Sequence, residues 1–306
     1  MEKLEAISST AIVRRARWID KIISIGSRFG EDPSRVEAQL NSEIEREGTA
    51  ALIDHLRLCG SIPAHYGHDT SEEKLYSKYT DALLAATFRY VGLTSLVLSG
   101  RADAADVEAV GANYSLIADA KAFRLSRTAK NQKDFKIESM HAWKHGKPHA
   151  MVVCPIYQLP SLTSQIYQQA IARSVCIFSY SHLAVLVLFC DESGKPSAQR
   201  LLLKVLKCAE TLHPTKDSVV YWTCINRAML SFHKSVGELW LTEKLAMIEF
   251  LSIAKEDALT SLARERERIM KMSRQDAIMH LIGDRNIDGR EKVIRSRADN
   301  GILSLM

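Results

Sequence analysis

The sequence predicts an α/β fold: a mixed central β-sheet flanked by helices, with helical N- and C-terminal parts. Three observations carry that prediction. Runs rich in β-branched and aromatic residues, or bounded by turn formers, gather at Ala105–Val110, Tyr114–Phe123, Ala150–Ile156 and Ser174–Tyr180. Helical periodicity dominates before and after them. The 306 residues, 46% hydrophobic and 25% charged, suffice to bury a large core as one elaborated domain or two. By pattern the chain falls into a mainly helical part over 1–100, a sheet core with a basic segment over 101–195, and a second helical part over 196–306.

Taken in order, Ser71-Glu72-Glu73-Lys74 opens a helix in which Leu75, Tyr79, Leu83 and Thr87 share one stripe. Gly111-Ala112-Asn113 then turns the first strand run into the second as a hairpin. His182–Cys190 is apolar throughout, and periodicity does not decide between helix and strand. Leu201, Leu202, Val205 and Leu206 mark a further helix. A longer amphipathic run extends from Thr242 to near Met272, its Arg264–Arg268 stretch facing solvent. No internal repeat and no low-complexity linker interrupts this order.

Several function classes find no support. The six cysteines, at 59, 154, 176, 190, 208 and 224, contain no CxxC pair and read as reduced, buried thiols of a cytoplasmic protein. The first residues hold no uninterrupted apolar stretch of the signal-peptide type, and no run suits a membrane span, so no membrane partner is expected. Nothing resembles a P-loop, a dinucleotide fingerprint or a nucleophile elbow. The net charge of +5 is uneven: Lys121–Lys147 carries eight Lys/Arg against two acids, which leaves the remainder near neutral. A cationic stretch of that kind fits a polyanionic partner.

The chemistry-bearing segment is Tyr114–Lys136. Acidic-x-Lys triplets occur at Glu72, Asp119 and Asp134, but only Asp119-Ala120-Lys121 ends a strand-like apolar run. On a strand, Asp119 and Lys121 project from one face. The hairpin brings Asp106 near Asp119, and two carboxylates with the Ala120 carbonyl make a hard oxygen site of the kind magnesium prefers. The plainer reading, a turn aspartate at 106 and a surface ion pair at 119 and 121, explains the pattern equally well. Beyond the triplet, Arg124, Arg127, Lys130, Lys133 and Lys136 recur every third residue among Ser126, Thr128, Asn131 and Gln132. Such side chains suit phosphate oxygens and major-groove base edges, though a solvated basic loop has the same composition. Glu73, opening its helix, is a candidate third carboxylate as well as an ordinary N-terminal helix acid. His141 and His145 with His149, and the His65–Asp69 stretch, have metal-ligand residue types without a matching third ligand and read as loops and a polar turn.

The stretch Ala118-Asp119-Ala120-Lys121 through Phe135-Lys136 closely resembles the HindIII-type type II restriction endonucleases of the PD-(D/E)xK nuclease superfamily. The likeness extends upstream to Glu73–Lys78 and downstream to Ser164–Tyr167 and His182–Ala184. Two departures stand out: a slightly shorter spacer between Asp106 and Asp119, and Ala105 where the superfamily often has proline. The resemblance implies a sheet of restriction-endonuclease type and places Asp106, Asp119 and Lys121 in the catalytic positions. It implies magnesium-dependent cleavage of double-stranded DNA at a palindrome, AAGCTT cut between the adenines, by a homodimer. It also implies a cognate DNA methyltransferase in the same restriction-modification system. A catalytically silent or differently specific DNA-binding protein of this fold is the rival expectation.

Overall fold

The computed structural model describes residues 6–26, 32–98, 104–127 and 132–296. The chain divides into two compact units, Met1–Ala258 and Leu259–Met306. In the first, β1 (Thr94–Val97), β2 (Val107–Val110), β3 (Ser115–Ala120), β4 (His149–Cys154) and β5 (Val175–Ser179) form one sheet in that order. The β1–β2 and β2–β3 pairs are antiparallel, whereas β3–β4 and β4–β5 are parallel. The mixed, helix-flanked sheet is the architecture the sequence predicts.

Residue chemistry accounts for the division within the sheet. His149–Cys154 and Val175–Ser179 are buried at every position, as parallel strands covered on both faces must be. By contrast β1 and β2 alternate between covered and exposed residues. Each strand run read from the sequence overlaps an observed strand, with β4 beginning one residue ahead of its run, at His149. No clear signal marks β1, because its four residues are too few for alternation to register. The ambiguous His182–Cys190 run is helical, within α7 (Tyr180–Ser193); the Ser179 hydroxyl caps it by accepting the His182 N–H at 3.3 Å.

The remaining helices of this unit are α1 (Ser9–Ile25), α2 (Asp32–Leu58), α3 (Ser71–Tyr90), α4 (Gln132–Phe135), α5 (Ile137–Ala142), α6 (Gln165–Ala172), α8 (Lys195–Glu210), α9 (Ser218–Leu230) and most of α10 (Lys234–Met270). Gly48, at φ 67°, interrupts α2 in a conformation that other residues adopt at a cost. Leu201, Leu202, Val205 and Leu206 are all buried on α8, as their spacing requires. The second unit holds the end of α10 with α11 (Arg274–Asp284) and α12 (Ile287–Ser296). Among the described residues, no helix is long and apolar enough to cross a membrane.

One expectation is corrected. Cys208 and Cys224 are not free thiols but a disulfide joining α8 to α9, with Cα atoms 6.6 Å apart. Facing turns of a helical hairpin bring together residues that are distant in sequence, so the pair shows no short-range motif. Cys59, Cys154, Cys176 and Cys190 are free and buried.

A charged cluster inside the helical layer positions α3 over the sheet. Glu43 accepts hydrogen bonds from Arg14 Nε at 2.9 Å, Arg17 Nη2 at 2.5 Å and Trp18 Nε1 at 2.8 Å. Burial works against its charge, yet contact with His55 and the Trp18 hydrogen bond take its pKa down to about 2. His55 Nδ1 shares a 2.8 Å hydrogen bond with the Tyr79 hydroxyl, and the Trp18 ring stacks on Tyr79 at 5.3 Å. The carboxylate on α2 therefore ties α1 to α3 at Tyr79. Replacing it with leucine leaves the Trp18 indole N–H without an acceptor and takes one of three carboxylates from Arg14, which keeps Glu47 and Asp54. Glu43→Leu is expected to cost about 3–5 kcal/mol in urea unfolding, the scale for removing one partner of a buried pair. A loss under about 1 kcal/mol, ordinary for a surface pair, would show that the cluster does not hold α3.

Candidate active site

The end of β3 is where the sheet changes character. It is apolar up to Ala118 because both faces are covered, and Asp119 then places a carboxylate with no solvent exposure among them. The β2–β3 register pairs Val107 with Ala118, and one further step sets Asp106 opposite Asp119. Asp106 lies just ahead of β2 rather than within it, its carbonyl held by the Leu98 N–H at 2.8 Å. The turn forms as the sequence predicts, with the Gly111 N–H donating to the Tyr114 carbonyl at 2.8 Å.

Electrostatics dominate this corner. Asp119 ion-pairs with Lys121 and faces the Asp106 carboxyl. Burial raises Asp119 to about 6, against the opposing pull of Lys121. Burial would raise Asp106 too, but a proton shared with Asp119 and the Lys78 ammonium hold it well below the usual carboxylate range. Two carboxylates facing each other titrate as a pair, with the more enclosed one keeping the proton longer. Burial is the largest single influence on Lys121 and pushes it down, but Asp119 and Asp106 together outweigh it and raise it, so it stays an ammonium. Its backbone is fixed as well: its N–H donates to the Val153 carbonyl at 2.8 Å, and the Tyr180 hydroxyl donates to its carbonyl at 3.0 Å. Ala120, between the two charged residues, is 6% exposed.

The helix facing this corner contributes residues that the sequence reading did not select. Lys78 Nζ lies 2.8 Å from Asp106 Oδ1 and 3.1 Å from Asp81 Oδ2. Burial raises Asp81 to about 7, and the Asp106 charge adds to the rise while Lys78 opposes it. Glu73, the expected helix acid, instead accepts from Arg124 Nε at 3.1 Å and from the Asp69 N–H at 2.7 Å. It sits two turns from Asp81 along α3 and belongs to an exposed group with His68 and Asp69. A signal for Asp81 does exist: it is the one acid in the otherwise apolar or small-residue stretch Tyr79–Phe88.

The basic segment is only partly described. Arg124 turns inward to Glu73 and the Gly67 carbonyl, 2.5 Å from its Nη2. Arg127 lies 4.8 Å over the Phe123 ring and pairs with Asp134 at 2.5 Å. Lys133 is exposed on α4, and Gln132 opens that helix. Lys130 and Asn131 fall outside the described residues. The histidines do not converge: His141 Nδ1 meets the Arg173 carbonyl at 3.0 Å, and His149 Nδ1 meets Glu210 at 2.8 Å.

This donor set fits a divalent cation. Asp119 offers a fully buried carboxylate, Asp106 offers a carboxylate opposite, and the β3 backbone offers the Ala120 carbonyl. Such oxygens are hard ligands, and removing them from water without a cation is costly. The model of the HindIII restriction endonuclease family matches residues 16–298. The type II restriction enzyme HindIII of Haemophilus influenzae is 32% identical over 289 residues, spanning 91% of this chain and 94% of that enzyme. A chain matched over nearly its whole length, with paired acids and a lysine at the end of its central strand, belongs to the HindIII restriction endonuclease family.

Proposed function

We propose that this protein is a type II restriction endonuclease that hydrolyses both strands of duplex DNA at AAGCTT, between the adenines, with magnesium as cofactor. The observation that carries the reading is the buried Asp119, opposed by Asp106 through the β2–β3 register and paired with Lys121 two residues on. Asp106, Asp119 and the Ala120 carbonyl would hold the ion, which when bound polarises the scissile phosphate and favours a nucleophilic water. Asp81, raised to about 7 by burial, adds part of a negative charge from α3 at neutral pH. Lys121, kept protonated by Asp119, donates to a phosphate oxygen or to the attacking water and stabilises the charge that develops in the transition state. Lys121 stays an ammonium throughout, and the proton released by the attacking water passes to solvent. In-line attack then leaves 5′ phosphate and 3′ hydroxyl ends. Glu73 acts at one remove, by aligning Arg124.

Contact with the duplex falls to the segment after β3, with Arg124, Arg127, Lys130 and Lys133 at phosphates and Asn131 and Gln132 at base edges. Each chain carries one such site, so cutting both strands of a palindrome calls for a two-fold homodimer. The enzyme would work in the cytoplasm alongside a methyltransferase that protects host DNA.

The deciding test is digestion of a sequenced plasmid bearing one AAGCTT site, with magnesium and with EDTA. One magnesium-dependent cut at that site is expected, absent in Asp119→Ala and slowed about 10²–10³-fold in Lys121→Ala. Cuts elsewhere would retain the nuclease and discard the specificity. No cutting by folded protein would favour the silent DNA-binding reading. The raised Asp119 adds a pH prediction. A carboxyl with a pKa near 6 must lose its proton for a cation to bind. Affinity for Mn²⁺ in DNA-free protein is expected to be level above that pH and to weaken about tenfold per unit below it. An affinity unchanged between pH 7 and pH 5 would remove Asp119 from the ligand set.

A further inference from the structure

The cation-binding corner already contains a cation. Lys78 Nζ lies between Asp106 and Asp81, at 2.8 Å and 3.1 Å, while Lys121 pairs with Asp119. Three carboxylates thus meet two ammonium groups. Asp81 is 2% exposed and Asp119 has no exposure, so solvent cannot screen their mutual repulsion. The two lysines are placed differently. The Lys121 side chain is 13% exposed, enclosed beside the strand that carries it, whereas that of Lys78 is 39% exposed and reaches the acids along a four-carbon stem. One ammonium is enclosed; the other has a route back to solvent.

We propose that Lys78 is the resident counter-cation of this site: it occupies the divalent ion's share of Asp106 when the site is empty and is displaced as the ion binds. The inference rests on the proposed function, because it takes Asp106 as a metal ligand. A charged oxygen 2.8 Å from an ammonium cannot give full charge to an incoming ion while that contact lasts. Entry of the ion therefore breaks the Lys78–Asp106 pair, and the lysine swings on its stem toward solvent. Lys78 lowers metal affinity in DNA-free protein, and the displaced ammonium becomes available to a phosphate of the duplex. Lys78 is thus a positioning residue acting through Asp106, and its effect on affinity is opposite to that of a simple structural brace.

That opposition decides the test. Mn²⁺ binding to the full-length, DNA-free protein is titrated by electron paramagnetic resonance in the wild type, Lys78→Met and Lys78→Arg. Methionine keeps an unbranched stem without the charge; arginine keeps the charge. Lys78→Met is expected to bind Mn²⁺ about tenfold more tightly or better, with Lys78→Arg near the wild type. Its melting temperature without metal should fall, and Mn²⁺ should raise it further than in the wild type. Unchanged or weaker binding by Lys78→Met, with measurable binding by the wild type, overturns this proposal and leaves the metal site intact. Absence of Mn²⁺ binding in all three chains overturns the proposed metal site, and this inference with it.

Discussion

The constraint on which this molecule turns is the burial of a carboxylate at the end of a strand. Water removed from Asp119 must be replaced by something positive, since an isolated buried charge costs far more than a domain can spare. Lys121, fixed two residues along on the same strand end, supplies part of that compensation. Lys121 and Lys78 are two ammonium groups among three carboxyl groups, so the compensation remains incomplete. A site held short of positive charge is one in which a metal ion has something to bind to.

Holding that shortage open takes rigid surroundings. On one side the parallel strands β4 and β5 are wholly buried, and on the other the antiparallel β2 sets Asp106 by register. Above them α3 brings Lys78 and Asp81, and the Glu43 cluster fastens α3 at the adjacent Tyr79. Stability and chemistry meet within neighbouring residues of one helix: Tyr79 faces the helical layer, and Lys78 faces the acids. A loosened helix would therefore disturb the charge balance of the site before it unfolded the chain.

Much of this was legible in the sequence, and what was not has physical causes. The apolar run ending in Asp119, the hairpin before it and the α3 stripe carry strong local patterns, and the structure follows them. Lys78 and Asp81 were hidden because an acid three residues from a lysine on a helix resembles an ordinary surface pair; only the fold reveals that Asp81 is enclosed. Glu73 drew notice for its place at a helix start, but two turns of α3 separate it from Asp81. The Cys208–Cys224 disulfide depends on the packing of two helices, which no linear motif records. Strand β1 is too short to show alternation.

The hairpin between the two acids has a consequence for how such sites diverge. What sets Asp106 opposite Asp119 is the pairing of Val107 with Ala118, not the count of residues around the turn. Insertions or deletions at Gly111–Asn113 would leave that pairing untouched, while a single-residue slip within either strand would turn a carboxylate to the opposite face. Among relatives, alignments of this region should tolerate gaps at the turn and none between Val107 and Asp119 outside it. Distance along the chain is a poor measure of likeness here; position on the ladder is the better one.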